Sequence, residues 1–85
     1  MAKPAKNIHI LTVRHKNCPG ALLSTLEVLA NYGVNVEEMR TCILEGRQAG
    51  LTTMTVVEGN IHNIKEIVCE EILKCDKVLA VDIHP

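Results

Sequence analysis

The segment Arg14-His15-Lys16-Asn17-Cys18-Pro19-Gly20 holds more polar chemistry than a connection needs. An imidazole and a carboxamide two residues apart offer donors and acceptors for a small polar molecule. The Pro-Gly pair reads as the opening of a helix, with Pro19 at the first helical position, where its missing N–H leaves nothing unpaired. The N–H groups of Gly20 and Ala21 then fall at a helix N-terminus, whose partial positive charge suits a carboxylate. The residue types also permit a plain reading: Asn17 makes an Asx turn and His15 is solvated. Asn35, just after Gly33-Val34, is a second candidate. It too has a plain reading, as a turn-exit residue satisfying backbone groups.

Other chemistries find less support. Cys18 stands alone on its loop, and Cys42, Cys69 and Cys75 match no zinc spacing, so no metal site is expected. His9, His15, His62 and His84 are scattered along the chain, and no glycine-rich phosphate loop occurs. A Cys18–His15 nucleophile lacks the third group that would orient it. The pairs Glu37-Glu38 and Glu70-Glu71 read as solvated faces. The chain is therefore expected to bind and not to catalyse, and no cofactor is expected.

Length and composition set the frame for these residues. Eighty-five residues allow one domain, here 1–85 with a frayed polar lead-in at 1–6. A domain of this size buries only about 60–65% of its extended-chain surface, so self-association would help it. With 47% hydrophobic and 22% charged residues the chain is globular rather than disordered. A net charge of −1, no basic run and one aromatic residue, Tyr32, argue against nucleic-acid binding. No signal peptide is evident, and no apolar run approaches the roughly 20 residues that span a membrane. The four thiols then read as reduced cysteines of a cytoplasmic protein.

The elements that must position the loop follow from periodicity. Residues 7–14 form a strand, with Leu11 and Val13 on one face and Ile8 and Ile10 on the other. A helix runs from Pro19 to about Tyr32, with Leu22, Leu23, Leu26, Leu29 and Ala30 as its apolar stripe and Gly33 as its stop. Residues 34–45 form a second strand, whose slipped pattern calls for a bulge near Glu37-Glu38. Gly46-Arg47-Gln48 turns the chain into a third strand, 51–58. Asn60 caps a second helix to about Lys74, carrying Ile61, Ile64, Ile67, Val68 and Ile72. A last strand, 77–84, places Leu79, Val81 and Ile83 on one face. The order is βαββαβ: an α+β, ferredoxin-like fold, a four-stranded antiparallel sheet with both helices on one face. Ile8, Ile10, Val78 and Ala80 fall by parity on the open face, a surface for self-association.

Taken together, Leu11-Thr12-Val13, Pro19-Gly20-Ala21-Leu22 and Tyr32-Gly33-Val34-Asn35-Val36 resemble the ACT domain, over about Ile8 to Ile83. That family has the βαββαβ fold and regulates metabolic enzymes by binding amino acids. Within it, His15-x-Asn17-x-Pro19-Gly20 is similar to the serine-binding loop in the C-terminal regulatory domain of D-3-phosphoglycerate dehydrogenases. Asn35 is similar to the second-strand asparagine that contacts the ligand from the neighbouring subunit. The runs Asn35-Val36-Glu37-Glu38-Met39 and Glu45-Gly46-Arg47-Gln48-Ala49-Gly50 add to the likeness. The resemblance implies an allosteric domain, a side-by-side homodimer and an amino acid at the interface, L-serine first among candidates. The implied ligand-binding residues are His15, Asn17, Pro19, Gly20, Ala21 and Asn35. The regulated enzyme would be linked or separate, in serine biosynthesis if the likeness extends that far. Two positions depart: Cys18 stands where arginine is common, and Lys16 where an acidic residue is common. Lys16 adds positive charge and opens the site to a more acidic ligand. Two alternatives stand beside this reading: a ligand-free dimerisation module, and the ACT domain of a (p)ppGpp synthetase/hydrolase, which shares the Pro-Gly and Gly-x-Asn-Val patterns.

Overall fold

Alternation along the first strand decides which side of the sheet becomes the core. In the computed structural model, which describes residues 8–57 and 64–84, β1 (Ile8–Lys16) turns Leu11 and Val13 inward with no exposure. The elements that follow are α1 (Leu23–Asn31), β2 (Asn35–Ile43), a short 3-10 turn (Glu45–Arg47), β3 (Ala49–Val57), α2 (Ile64–Leu73) and β4 (Val78–His84). The four strands lie in the order β2-β3-β1-β4 and every neighbouring pair is antiparallel. The two helices lie on one face, where Leu29 of α1 and Val68 and Ile72 of α2 close over Leu11, Val13, Met54, Val56 and Ile83. This is the ferredoxin-like arrangement expected. The lead-in at 1–6, the cap at Asn60 and Ile61 lie outside the described residues.

Three details differ from expectation, each for a local reason. The α1 helix opens at Leu23, not at Pro19. Gly20 takes a φ of +77°, which a right-handed helix cannot contain, and the Ala21 N–H donates to the Cys18 carbonyl at 3.2 Å. Pro19 and Gly20 thus form the two central positions of a turn of the kind that wants Pro then a left-handed residue. The helix also presents a different stripe. Thr25 and Leu29 are buried and Leu22 and Leu26 half-buried, whereas Leu23 is 60% exposed and Ala30 is exposed. The third difference is a bulge. Arg14 pairs with Ala80 but His15 pairs with Val78, so Leu79 is an extra residue in β4. The parity of β4 reverses there. Val78 turns into the core at 8% exposure, off the open face where parity had placed it, and Leu79 turns out at 49%.

Other punctuation falls where the pattern put it. Val36 pairs with Val56 and Glu38 with Thr55, which leaves Glu37 as the bulged residue of β2. Gly33, at φ +70°, ends α1. Its N–H donates to the Ala30 carbonyl at 3.0 Å, and the Val34 N–H donates to Leu29 at 2.9 Å. This is a Schellman closure, which needs a left-handed residue at that point. Gly33→Ala is expected to destabilise the domain by about 1–2 kcal/mol, read from the midpoint of urea unfolding.

Candidate functional site

The loop chemistry resolves into a groove between α1 and the free edge of β2. The groove, about 410 Å³, is lined by His15, Lys16, Asn17, Cys18, Gly20 and Ala21, by Leu22, Leu23 and Leu26 of the α1 side, and by Thr41 and Ile43 of β2. Of the residues expected to bind, His15, Asn17, Gly20 and Ala21 therefore meet on one wall. Pro19 sits in the turn beside them. Asn35 lies at the far end of β2. It pairs with Val57, the partner of Ile8, whereas Ile43 pairs with Gly50, the partner of His15. Eight residue steps of strand separate Asn35 from Ile43, about 25 Å at the usual rise.

His15 is a strand residue, not a loop residue, and it is buried at 4% exposure. Its Nδ1–H donates to the Lys16 carbonyl at 2.9 Å. Its Nε2 lies 2.7 Å from Thr52 Oγ1, and Thr52 Oγ1 lies 2.7 Å from Thr41 Oγ1. Both ring nitrogens are thus engaged inside the chain, and the ring forms part of the groove wall. The ring packs against Gly50: a Cβ there would stand 2.8 Å from His15 Cε1. Thr41, Thr52 and Gly50 are the residues that sequence reasoning missed. Threonines in a strand read as ordinary β-formers, and Gly50 falls between the expected turn and the expected third strand.

The loop is fixed at several points. The Asn17 N–H donates to Gln48 O at 2.9 Å and its Nδ2 donates to Arg47 O at 2.8 Å. The Lys16 N–H donates to Lys77 O at 2.8 Å, and Lys77 Nζ donates to Pro19 O at 3.1 Å. A loop held this way loses little freedom on binding. Lys16, Arg47 and Lys77 place positive charge around it, a setting for a carboxylate. The helix contributes less than expected, because the Ala21 N–H is already used within its turn. Among the described residues, no group of three His, Cys, Asp or Glu side chains could hold a metal ion, and no helix is long and apolar enough to cross a membrane.

Comparison with solved structures agrees with this architecture. The ACT domain from GTP pyrophosphokinase of Chlorobium tepidum superposes with a TM-score of 0.71, covering 93% of this chain and 99% of that one at 8% identity. The chain has the fold of an ACT domain. A homoserine dehydrogenase from Thiobacillus denitrificans contains a similar unit (TM-score 0.70, 18% identity), of which this chain covers 17% with 94% of its own length. GqqA, described as a novel type of quorum-quenching acylase, contains another (TM-score 0.67, 27% identity), with 95% of this chain matched to 31% of that one. Units of this fold therefore occur within chains several times longer. No family model and no curated protein matches the sequence.

Proposed function

We propose that the chain is an amino-acid-binding regulatory domain, with L-serine the leading ligand, held in the groove at a subunit boundary. The observation that supports this most is the convergence of His15, Asn17, Gly20 and Ala21, with the cation Lys16, on one pre-fixed groove beside an edge strand. Asn17 is anchored through one amide N–H, leaving its carbonyl oxygen and second N–H for the ligand. Lys16 and Asn17 face the ligand carboxylate.

Asn35 enters from a second copy. The β2 strand lies at the sheet edge, so one side of its backbone is unpaired and ready to accept another strand. Two β2 strands paired antiparallel about Met39 bring the Asn35 end of the partner subunit's strand alongside the Ile43 end of this one. Ile43 lines the groove. Met39 and Ile43 are 45% and 43% exposed in the single chain, and such a pairing covers them. A ligand that touches both subunits favours the paired state, and that shift is what a linked or associated enzyme would sense. D-3-phosphoglycerate dehydrogenase is the first candidate for that enzyme. The likeness to the GTP pyrophosphokinase domain supports a second reading, an ACT domain of a (p)ppGpp synthetase/hydrolase.

The test is a thermal-shift panel of the twenty amino acids on the 85-residue chain. L-Serine at about 100 times its dissociation constant is expected to add roughly 2.7 kcal/mol of stability. Asn17→Ala and Asn35→Ala should each abolish the shift. Mixing the two variants should restore it in part, because each mixed dimer keeps one intact site. If no amino acid moves the transition, the sensor reading falls and a ligand-free dimerisation module takes its place.

A further inference from the structure

We propose that Thr41 selects the ligand group it meets. Its hydroxyl oxygen is held as a hydrogen-bond acceptor toward the groove, so the bound molecule must bring an N–H or O–H donor to that point. This rests on the reading of the groove as an amino-acid site and adds to it which end of the ligand goes where.

The direction of each hydrogen bond follows from the chemistry of the groups. A carbonyl oxygen only accepts, so the contact between His15 Nδ1 and Lys16 O requires the proton on Nδ1. In the neutral ring Nε2 then carries a lone pair and must accept. Thr52, 2.7 Å away, has a single hydroxyl proton, and it goes to Nε2. The Thr52 oxygen is left as an acceptor, so the 2.7 Å contact with Thr41 is made by the Thr41 proton. Each hydroxyl has one proton to give, and both are committed inward. Thr41 is exposed and lines the groove. What it offers there is lone pairs alone.

The wall fixes this polarity because its parts cannot turn. His15 and Thr52 are buried at 4% and 0% exposure, and β1 and β3 each have a strand on both sides. Reversing the chain would leave Nδ1 facing a carbonyl with no proton between them, the kind of unmet buried contact that costs about 1–3 kcal/mol. The side chains of Lys16 and Asn17, which also line the groove, supply the opposite character. An amino acid therefore lies with its carboxylate toward the Lys16–Asn17 end and its ammonium or hydroxyl toward Thr41.

Two measurements test this separately. The first needs no ligand: 15N chemical shifts of the His15 ring in the whole chain, at a pH where the ring is neutral, should show Nδ1 protonated and Nε2 accepting. An Nε2-protonated ring overturns the proposal outright. The second uses L-serine as probe, by calorimetry. Thr41→Val should weaken L-serine roughly ten- to a hundredfold, as expected for losing a hydrogen bond to a charged or polar group, and Thr41→Ser should restore it. Repeating with L-alanine, which lacks the hydroxyl, and 3-hydroxypropanoate, which lacks the ammonium, assigns the donor: the probe that stays sensitive to Thr41→Val carries it. L-Serine binding equally well to Thr41→Val and the parent overturns the proposal and leaves the amino-acid site intact. Failure of every amino acid to bind the parent removes the site, and the ligand preference with it.

Discussion

Replacing Gly50 by alanine is expected to lower the melting temperature by about 10 °C or more and to release the His15 ring from Thr52. The new methyl would stand 2.8 Å from Cε1 and 3.3 Å from Nε2 of His15. Real side chains do not approach so closely, so something must move. The backbone cannot easily do so, because β3 is paired to β2 on one side and β1 on the other. The ring must leave, and with it the contact to Thr52 and the contact to the Lys16 carbonyl. Overpacking of this kind costs about 1–3 kcal/mol. The stranded Thr52 hydroxyl adds about 1–3 kcal/mol more. In a domain whose whole stability is about 5–15 kcal/mol, that is a large fraction. The cause can be isolated with a double-mutant cycle. His15→Ala makes room for the methyl, so adding Gly50→Ala to it should cost much less than adding it to the parent. Equal costs in the two backgrounds would mean that the ring is not what Gly50 accommodates.

Placing a lysine at Met39 is expected to weaken self-association about a hundredfold or more without unfolding the single chain. Met39 is 45% exposed, so the substitution removes little from the core. In a pair of β2 strands centred on this residue, however, position 39 of one subunit faces position 39 of the other. Two lysines would then sit directly opposite, and like charges in such a pair cost several kcal/mol. Sedimentation velocity across a concentration series reads the effect. The response to L-serine should fall with it, because Asn35 of the partner subunit is no longer in place. A Met39→Glu chain, mixed with the Met39→Lys chain, should recover a mixed dimer. Recovery fixes the register of pairing, which no single substitution can do. A Met39→Lys chain as strongly dimeric as the parent would place the interface elsewhere.

What the sequence makes legible here divides along a physical line. Signals carried by one residue and its chain neighbours come through. Gly33 stops α1 because only a left-handed residue closes that end. The slip between Val36 and Met39 marks the bulge at Glu37. Leu11, Val13, Leu29 and Ile83 are core because their spacing matches their element. Features that arise between strands do not come through. The bulge at Leu79 reflects how β4 must sit against β1 at His15, and nothing within residues 77–84 announces it. The burial of His15 has the same origin: it depends on an empty position at Gly50, on a strand that follows more than thirty residues later. The link from His15 through Thr52 to Thr41 joins three strands, and each residue alone looks unremarkable. Within the site, the loop residues were visible as types. Asn35 reads as the start of the second strand; that this end lies away from the groove is seen only once the sheet is laid out.

The strand order also bears on how the fold is reached. β1 lies between β3 and β4, and Ile10 pairs with His84, near opposite ends of the chain. The segment synthesised early is thus the one that must wait for the last. Until β4 arrives, one edge of β1 is unpaired and the inward faces of Leu11 and Val13 lack Ile83 and Val81. Such long-range closure raises the contact order and slows folding relative to a helical domain of the same size. A nascent chain halted before β4 would expose an apolar strand edge, which is the setting in which chains pair wrongly with one another.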